Sequence, residues 1–128
     1  MMAELDVKAV VKAGMAYERM RIEAASLNIA RANTAASSSQ DVAPLFMATM
    51  SNAELTADKA QLSSYQQAKA VYQPEHPLAN EQGFIYLPDI DLAHEMVTLS
   101  SAKRAYEANI KIYNSYKEMS AKALEIGK

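Results

Sequence analysis

Two apolar stripes at helical spacing, one at each end of the chain, limit what this sequence can fold into. Val7, Val11, Met15, Ile22, Ala25, Ile29 and Ala32 follow one another at intervals of four, four, seven, three, four and three. That period marks one face of a helix over about Ala3–Ala32. Near the other end, Leu92, Met96, Leu99, Tyr106, Ile110, Tyr113 and Leu124 alternate by threes and fours, with Lys103, Lys117 and Ser120 as polar members of the same register. Asp91 is placed to cap this second helix, Glu95 stands favourably in its first turn, and Gly127 lies where a helix stops. Pairing the two ends, parallel or antiparallel, is the simplest way to cover both stripes.

The expected fold class is therefore mainly α: long N- and C-terminal helices pairing in a coiled-coil-like manner, around a small irregular or β middle region. The expected division is 1–34 for the first helix, 35–90 for the middle and 91–128 for the second helix. Many inward positions are alanine or polar, and ordering a residue costs roughly 1–2 kcal/mol. The helical ends are expected to order fully only against neighbouring molecules. Gly14 is the weak point of the first helix, costing about 1 kcal/mol relative to alanine.

The middle is punctuated differently. Ala35–Gln40 reads as a low-complexity polar linker with nothing to bury, and Pro44 continues the break. Leu45–Met50 is a short apolar patch. Ser51-Asn52-Ala53-Glu54 fits a capping box, and Leu55 and Leu62 share a face, which predicts a short helix from Asn52 to about Gln67. Pro74, Pro77 and Pro88 then interrupt the chain, and Gly83 precedes the β-prone run Phe84-Ile85-Tyr86-Leu87. A turn, a short strand and a stop at Pro88 are expected there.

Composition narrows the chemistry. At 128 residues with a net charge of −2 and no basic block, the chain lacks the clustered footprint of a nucleic-acid binder. It has no cysteine, which removes disulfides, thiolate zinc sites and cysteine nucleophiles. The acidic start, Met1-Met2-Ala3-Glu4-Leu5-Asp6, is unlike a secretory signal, and no apolar run is long enough to span a bilayer. His76 and His94 carry no metal-ligand spacing. Glu81, Asp89, Asp91 and Glu95 are better read as caps and surface acids than as a catalytic pair. No glycine-rich phosphate loop is present, and Ser37, Ser38 and Ser39 belong to the linker. No catalytic, cofactor or metal site is expected.

Several segments resemble a known family. Arg21-Ile22-Glu23-Ala24-Ala25-Ser26-Leu27-Asn28-Ile29-Ala30-Arg31-Ala32-Asn33-Thr34 is similar to the N-terminal motif of flagellar rod and hook proteins, with Arg31 in place of an asparagine. Val71–Asn80 resembles the VYxPxHPxA element of the proximal-rod FlgC family, and Gly83–Asp91 its GYVxxPNVD segment. Glu95-Met96-Val97 and Ala102–Asn109 resemble its EMV and ASRAYEAN motifs. The resemblance covers roughly 80 residues in two blocks, and the stretch from Ala35 to Ala70 departs from it.

The resemblance implies a structural subunit of the periplasmic rod that transmits torque. It implies export through the flagellar type III apparatus without a cleavable signal, and assembly with other rod proteins and copies of itself. It implies neither catalysis, nucleic-acid binding nor membrane insertion. The residues expected at assembly contacts are Val11, Met15, Ile22, Asn28, Ile29, Asn33, Met96, Leu99, Tyr106, Asn109, Ile110 and Tyr113. Among them Asn28, Asn33 and Asn109 are the polar positions that can fix register. The competing expectation is a soluble helical-bundle adaptor or chaperone, stable as a monomer or dimer; a small hydrolase is a distant third.

Overall fold

The structure is a computed structural model and describes residues 6–50 and 59–127. Its elements run α1 (Val7–Arg31), β1 (Leu45–Met50), β2 (Ala60–Tyr65), β3 (Ala68–Tyr72), β4 (Phe84–Pro88) and α2 (Leu92–Ile126). Both helices start on an aspartate. The Asp6 carboxylate accepts from the Lys8 amide, and the Asp91 carboxylate accepts from the His94 amide. Each thereby satisfies one of the amides that a helix start leaves without a partner. Gly127 ends α2, its amide donating to Ala123 O.

The two helices run antiparallel. Asn28 of α1 meets Glu95 of α2, Gly14 meets Asn109, and Lys8 and Lys12 reach Tyr113. Position along α2 thus rises as position along α1 falls. At 25 and 35 residues the helices are roughly 38 Å and 52 Å long. The seam of α2 is Glu95, Leu99, Ala102, Tyr106, Asn109, Tyr113, Tyr116 and Ser120, all buried or half-buried and separated by fours and threes. This is the heptad spacing of a coiled coil. It shares Leu99, Tyr106 and Tyr113 with the stripe expected from sequence, but turns Leu92, Met96 and Ile110 outward. Apart from Leu99 the seam is made of alanine, tyrosine and polar residues, so a search for large aliphatic side chains selects the neighbouring line.

The middle forms two antiparallel two-stranded sheets, β1–β2 and β3–β4. The β1–β2 pair, in register Leu45↔Tyr65 to Met50↔Ala60, packs against α1. The helix expected over Asn52–Gln67 is therefore overturned wherever it can be seen: Ala60–Tyr65 is a strand. Leu62 suits a period of two as well as one of seven, and pairing with β1 decides between them. The capping box at Ser51–Glu54, with Leu55, lies outside the described residues.

The serine linker is also more than a tether. Ala36 is buried and exchanges both backbone hydrogen bonds with Tyr86 of β4 (2.8 and 2.9 Å). The Gln66 side chain then donates to Gln40 O and Val42 O, which holds the buried Val42 in place. The largest fully buried side chains are Leu45, Ile85, Val42, Asn28 and Pro88. The core thus spans the middle region and the end of α1, where Asn28 meets β1 and the first turn of α2. Along α2, Ala102 is the sole fully buried residue.

Candidate assembly interface

Among the described residues, Asn28 is the one buried polar side chain, 1% exposed. Its Nδ2 donates to Phe46 O at 2.9 Å and to Glu95 Oε2 at 3.3 Å, while its Oδ1 accepts from the Phe46 amide at 2.8 Å. One side chain therefore ties α1 to β1 and to the first turn of α2. All its polar atoms are used inside the chain, so it fixes the register of the elements that carry the outer surface.

Gly14 marks the second close approach. A Cβ added there would lie 3.1 Å from Asn109 Nδ2, so the glycine admits the Asn109 side chain against the α1 backbone. The residue that weakens α1 locally is the one that lets α2 come close. Beyond it, the ammonium groups of Lys8, Lys12 and Lys117 lie 5.9, 5.8 and 5.6 Å from the Tyr113 ring centroid.

The remaining residues expected at contacts fall into two groups. Val11 is buried in α1, and Met15, Ile22, Ile29, Leu99 and Tyr106 are half-buried; Met15 and Tyr106 line one shallow groove between the helices. Asn33, in the turn after α1, faces solvent together with Met96 and Ile110. Met119, a methionine suited to an adaptable contact surface, forms an outward line on α2 with residues that sequence reasoning passed over, Val97, Ile112 and Ile126. Val97 is 66% exposed, Ile112 50%, Met119 68% and Ile126 85%. With Ala108 they are spaced by eleven, four, seven and seven, a helical period that was readable as a second stripe. Full burial of each large side chain is worth roughly 1.5–3 kcal/mol, so an uncovered line of them is a candidate contact surface.

The proline-histidine element is a built loop joining β3 to β4. The Leu78 amide donates to His76 Nδ1, and the Gln82 and Phe84 amides both donate to Asn80 Oδ1 (each 3.0 Å). Gly83 has φ +87°, and a Cβ there would fall 2.8 Å from Tyr72 Cε1. His76 and Asn80 thus act as turn-formers, and His94 sits at a capped helix start. Among the described residues no acid–histidine group could hold a metal, and no helix is long and apolar enough to cross a membrane.

Comparison with known proteins supplies the family. Residues 81–126, which hold the end of the β3–β4 loop, β4 and all of α2, match the family model for the flagellar basal body rod FlgEFG protein C-terminal region. The chain is 30% identical over 130 residues to the flagellar basal-body rod protein FlgC of Aquifex aeolicus, covering 97% of this chain and 95% of that protein. The corresponding protein of Borreliella burgdorferi is 31% identical over 149 residues, covering 91% and 93%. That of Salmonella typhimurium is 44% identical over 59 residues, and there the match spans only 44% of the relative's length. Near-complete coverage at this identity establishes the relationship: the chain belongs to the FlgC family of flagellar basal-body rod proteins.

Proposed function

We propose that the chain is a structural subunit of the flagellar basal-body rod and transmits torque through assembly of its terminal helices, residues 1–34 and 91–128, with copies of itself and with other rod proteins. The observation that carries this reading is the uncovered apolar line of α2, from Val97 to Ile126, on a helix whose other side is already occupied by α1. A subunit that repeats such a contact along an open helical array sums many weak interfaces into a stiff shaft. The helix pair supplies that surface, and Asn28 and the Gly14–Asn109 contact keep it in one register. The subunit reaches the periplasmic section of the basal body through the flagellar type III export apparatus. Its role is mechanical and calls on no cofactor.

Deletion of the gene in its own bacterium tests the reading. Isolated basal bodies should lack a complete rod, and the cells should not swim. Expression of the wild-type chain should restore both, whereas Ile112→Asp with Met119→Asp, which leaves the α1 side of α2 untouched, should not. A motile deletion strain with intact rods would sink the proposal.

A further inference from the structure

The outward side of α2 carries a heptad pattern of its own. Ala105, Ile112, Met119 and Ile126 recur every seven residues. Ser101, Ala108, Ser115 and Lys122 do the same, each four residues earlier. This is the spacing of a second coiled-coil seam, and every member is exposed except the half-buried Ala105. One flank of the seam is Ala102, Asn109 and Tyr116, which already pack toward α1. The other flank is open and charged: Arg104, Lys111, Glu118 and Glu125 stand on it at intervals of seven. Among the described residues none of these four forms an ion pair within the chain.

The sign of charge reverses along that flank, two cations first and two anions after. Laid antiparallel on a second copy, the flank is complementary to itself. Arg104 meets Glu125 and Lys111 meets Glu118, and the symmetry makes each contact twice. The same register sets Ile112 against Ser115 of the other copy, Met119 against Ala108 and Ile126 against Ser101. Each large side chain on the seam thus meets a small one, which lets the two surfaces interdigitate. Lys122 falls opposite Ala105, whose small size leaves the lysine stem room to carry its ammonium to water. A groove of about 410 Å³ lies over the middle of the seam, lined by Val7, Tyr116 and Met119 with Lys111, Ile112 and Ser115. Ile112 of the second copy, opposite Ser115, has that space to enter. A parallel pair in register lacks these features. There the charged flank faces the uncharged Asn109, Tyr116 and Ala123, and each large residue faces its own counterpart.

We propose that two free copies pair through this seam of α2, antiparallel, about a two-fold axis between Ile112 and Ser115. Such a contact closes on itself and does not propagate. It covers Ile112 and Met119, which the rod contact uses, so paired chains are held back from open-ended assembly and must separate to join it. That consequence rests on the rod-subunit reading; the pairing itself does not. The seam is short and rich in small residues, which places the pair in the weak, transient class. With a Kd of roughly 0.1 mM, micromolar solutions hold the monomer.

The chain has no native cysteine, so introduced cysteines report this contact alone. Ala108→Cys with Met119→Cys, concentrated and mildly oxidised, should give a covalent dimer and nothing larger, because both bonds join the same two chains. Along one helix these positions are about 16 Å apart, too far for a disulfide within the chain. Each single variant should stay monomeric. A ladder of multimers, no cross-link, or a cross-linked single variant would overturn the antiparallel pairing. Sedimentation equilibrium gives a second readout. Lys111→Glu or Glu118→Lys alone should weaken pairing by about tenfold, since each replaces two exposed ion pairs with like-charge contacts. Mixing the two variants should restore the wild-type affinity, because in the mixed pair both contacts again join opposite charges. A mixture as weak as its components, or a wild type still monomeric at millimolar concentration, would also overturn the proposal. The rod reading is tested apart from it. A chain that never pairs in solution yet is present in isolated basal bodies loses only the pairing, whereas a chain absent from them loses the rod reading.

Discussion

A buried amide is costly to desolvate, and Asn28 is tolerated because each of its polar atoms has a partner. Replacing it tests how much of the fold depends on that arrangement. Asn28→Asp keeps the shape and the acceptor for the Phe46 amide. It removes both donors and sets a buried carboxylate against Phe46 O and the Glu95 carboxylate. The expected loss is about 2–4 kcal/mol, read as a lower urea midpoint at unchanged slope. Adding Glu95→Gln should recover part of the loss, because the amide can donate where the carboxylate repelled. A stability within about 0.5 kcal/mol of wild type for Asn28→Asp would mean that this network does not hold the three elements together.

At the scale of the element, α1 contains a conflict between local preference and packing. Gly14 costs about 1 kcal/mol of helix propensity, yet a Cβ there would crowd Asn109 Nδ2 at 3.1 Å. Gly14→Ala alone should therefore change stability little, since propensity gained is offset by a displaced Asn109. In an Asn109→Ala background the same substitution should stabilise by close to the full ~1 kcal/mol, as thermal unfolding of the four chains of the cycle would reveal. Equal effects in both backgrounds would separate the two residues. The same conflict explains what was legible in the sequence. Asp91 as a cap and the strand at Phe84–Leu87 follow from local signals and agree with the structure, as does the end of the first helix near Ala32. The expected start of that helix at Ala3 lies outside the described residues, among which α1 begins at Val7 after the Asp6 cap. The seam of α2 was partly hidden, because Ala102 and Asn109 are not what a search for apolar residues finds. The strand at Ala60–Tyr65 and the pinning of Ala36 to Tyr86 depend on partners distant in sequence, which no window around those residues contains.

At the scale of the whole molecule, the core is concentrated at one end. Val42, Leu45, Ile85 and Pro88 are buried in the middle region, and Asn28 is buried where the end of α1 meets β1 and the first turn of α2. Away from that end α2 is supported on one side, and Leu124 and Ile126 are largely exposed. Local stability follows burial, so opening should be cheapest where the helices have least to lose. Hydrogen exchange on the purified chain should show slow amides in Ala24–Asn28 and in Glu95–Ala102, with protection falling steadily toward Lys117–Ile126 and toward Val7. In assembled rods the same amides should become evenly slow, because neighbouring subunits cover the line that the monomer leaves open. A monomer uniformly protected along both helices, unfolding in one cooperative step, would remove the gradient. The uncovered face of α2 would then not mark a stability shortfall that assembly supplies, and the helix pair would be a self-sufficient bundle of the adaptor kind.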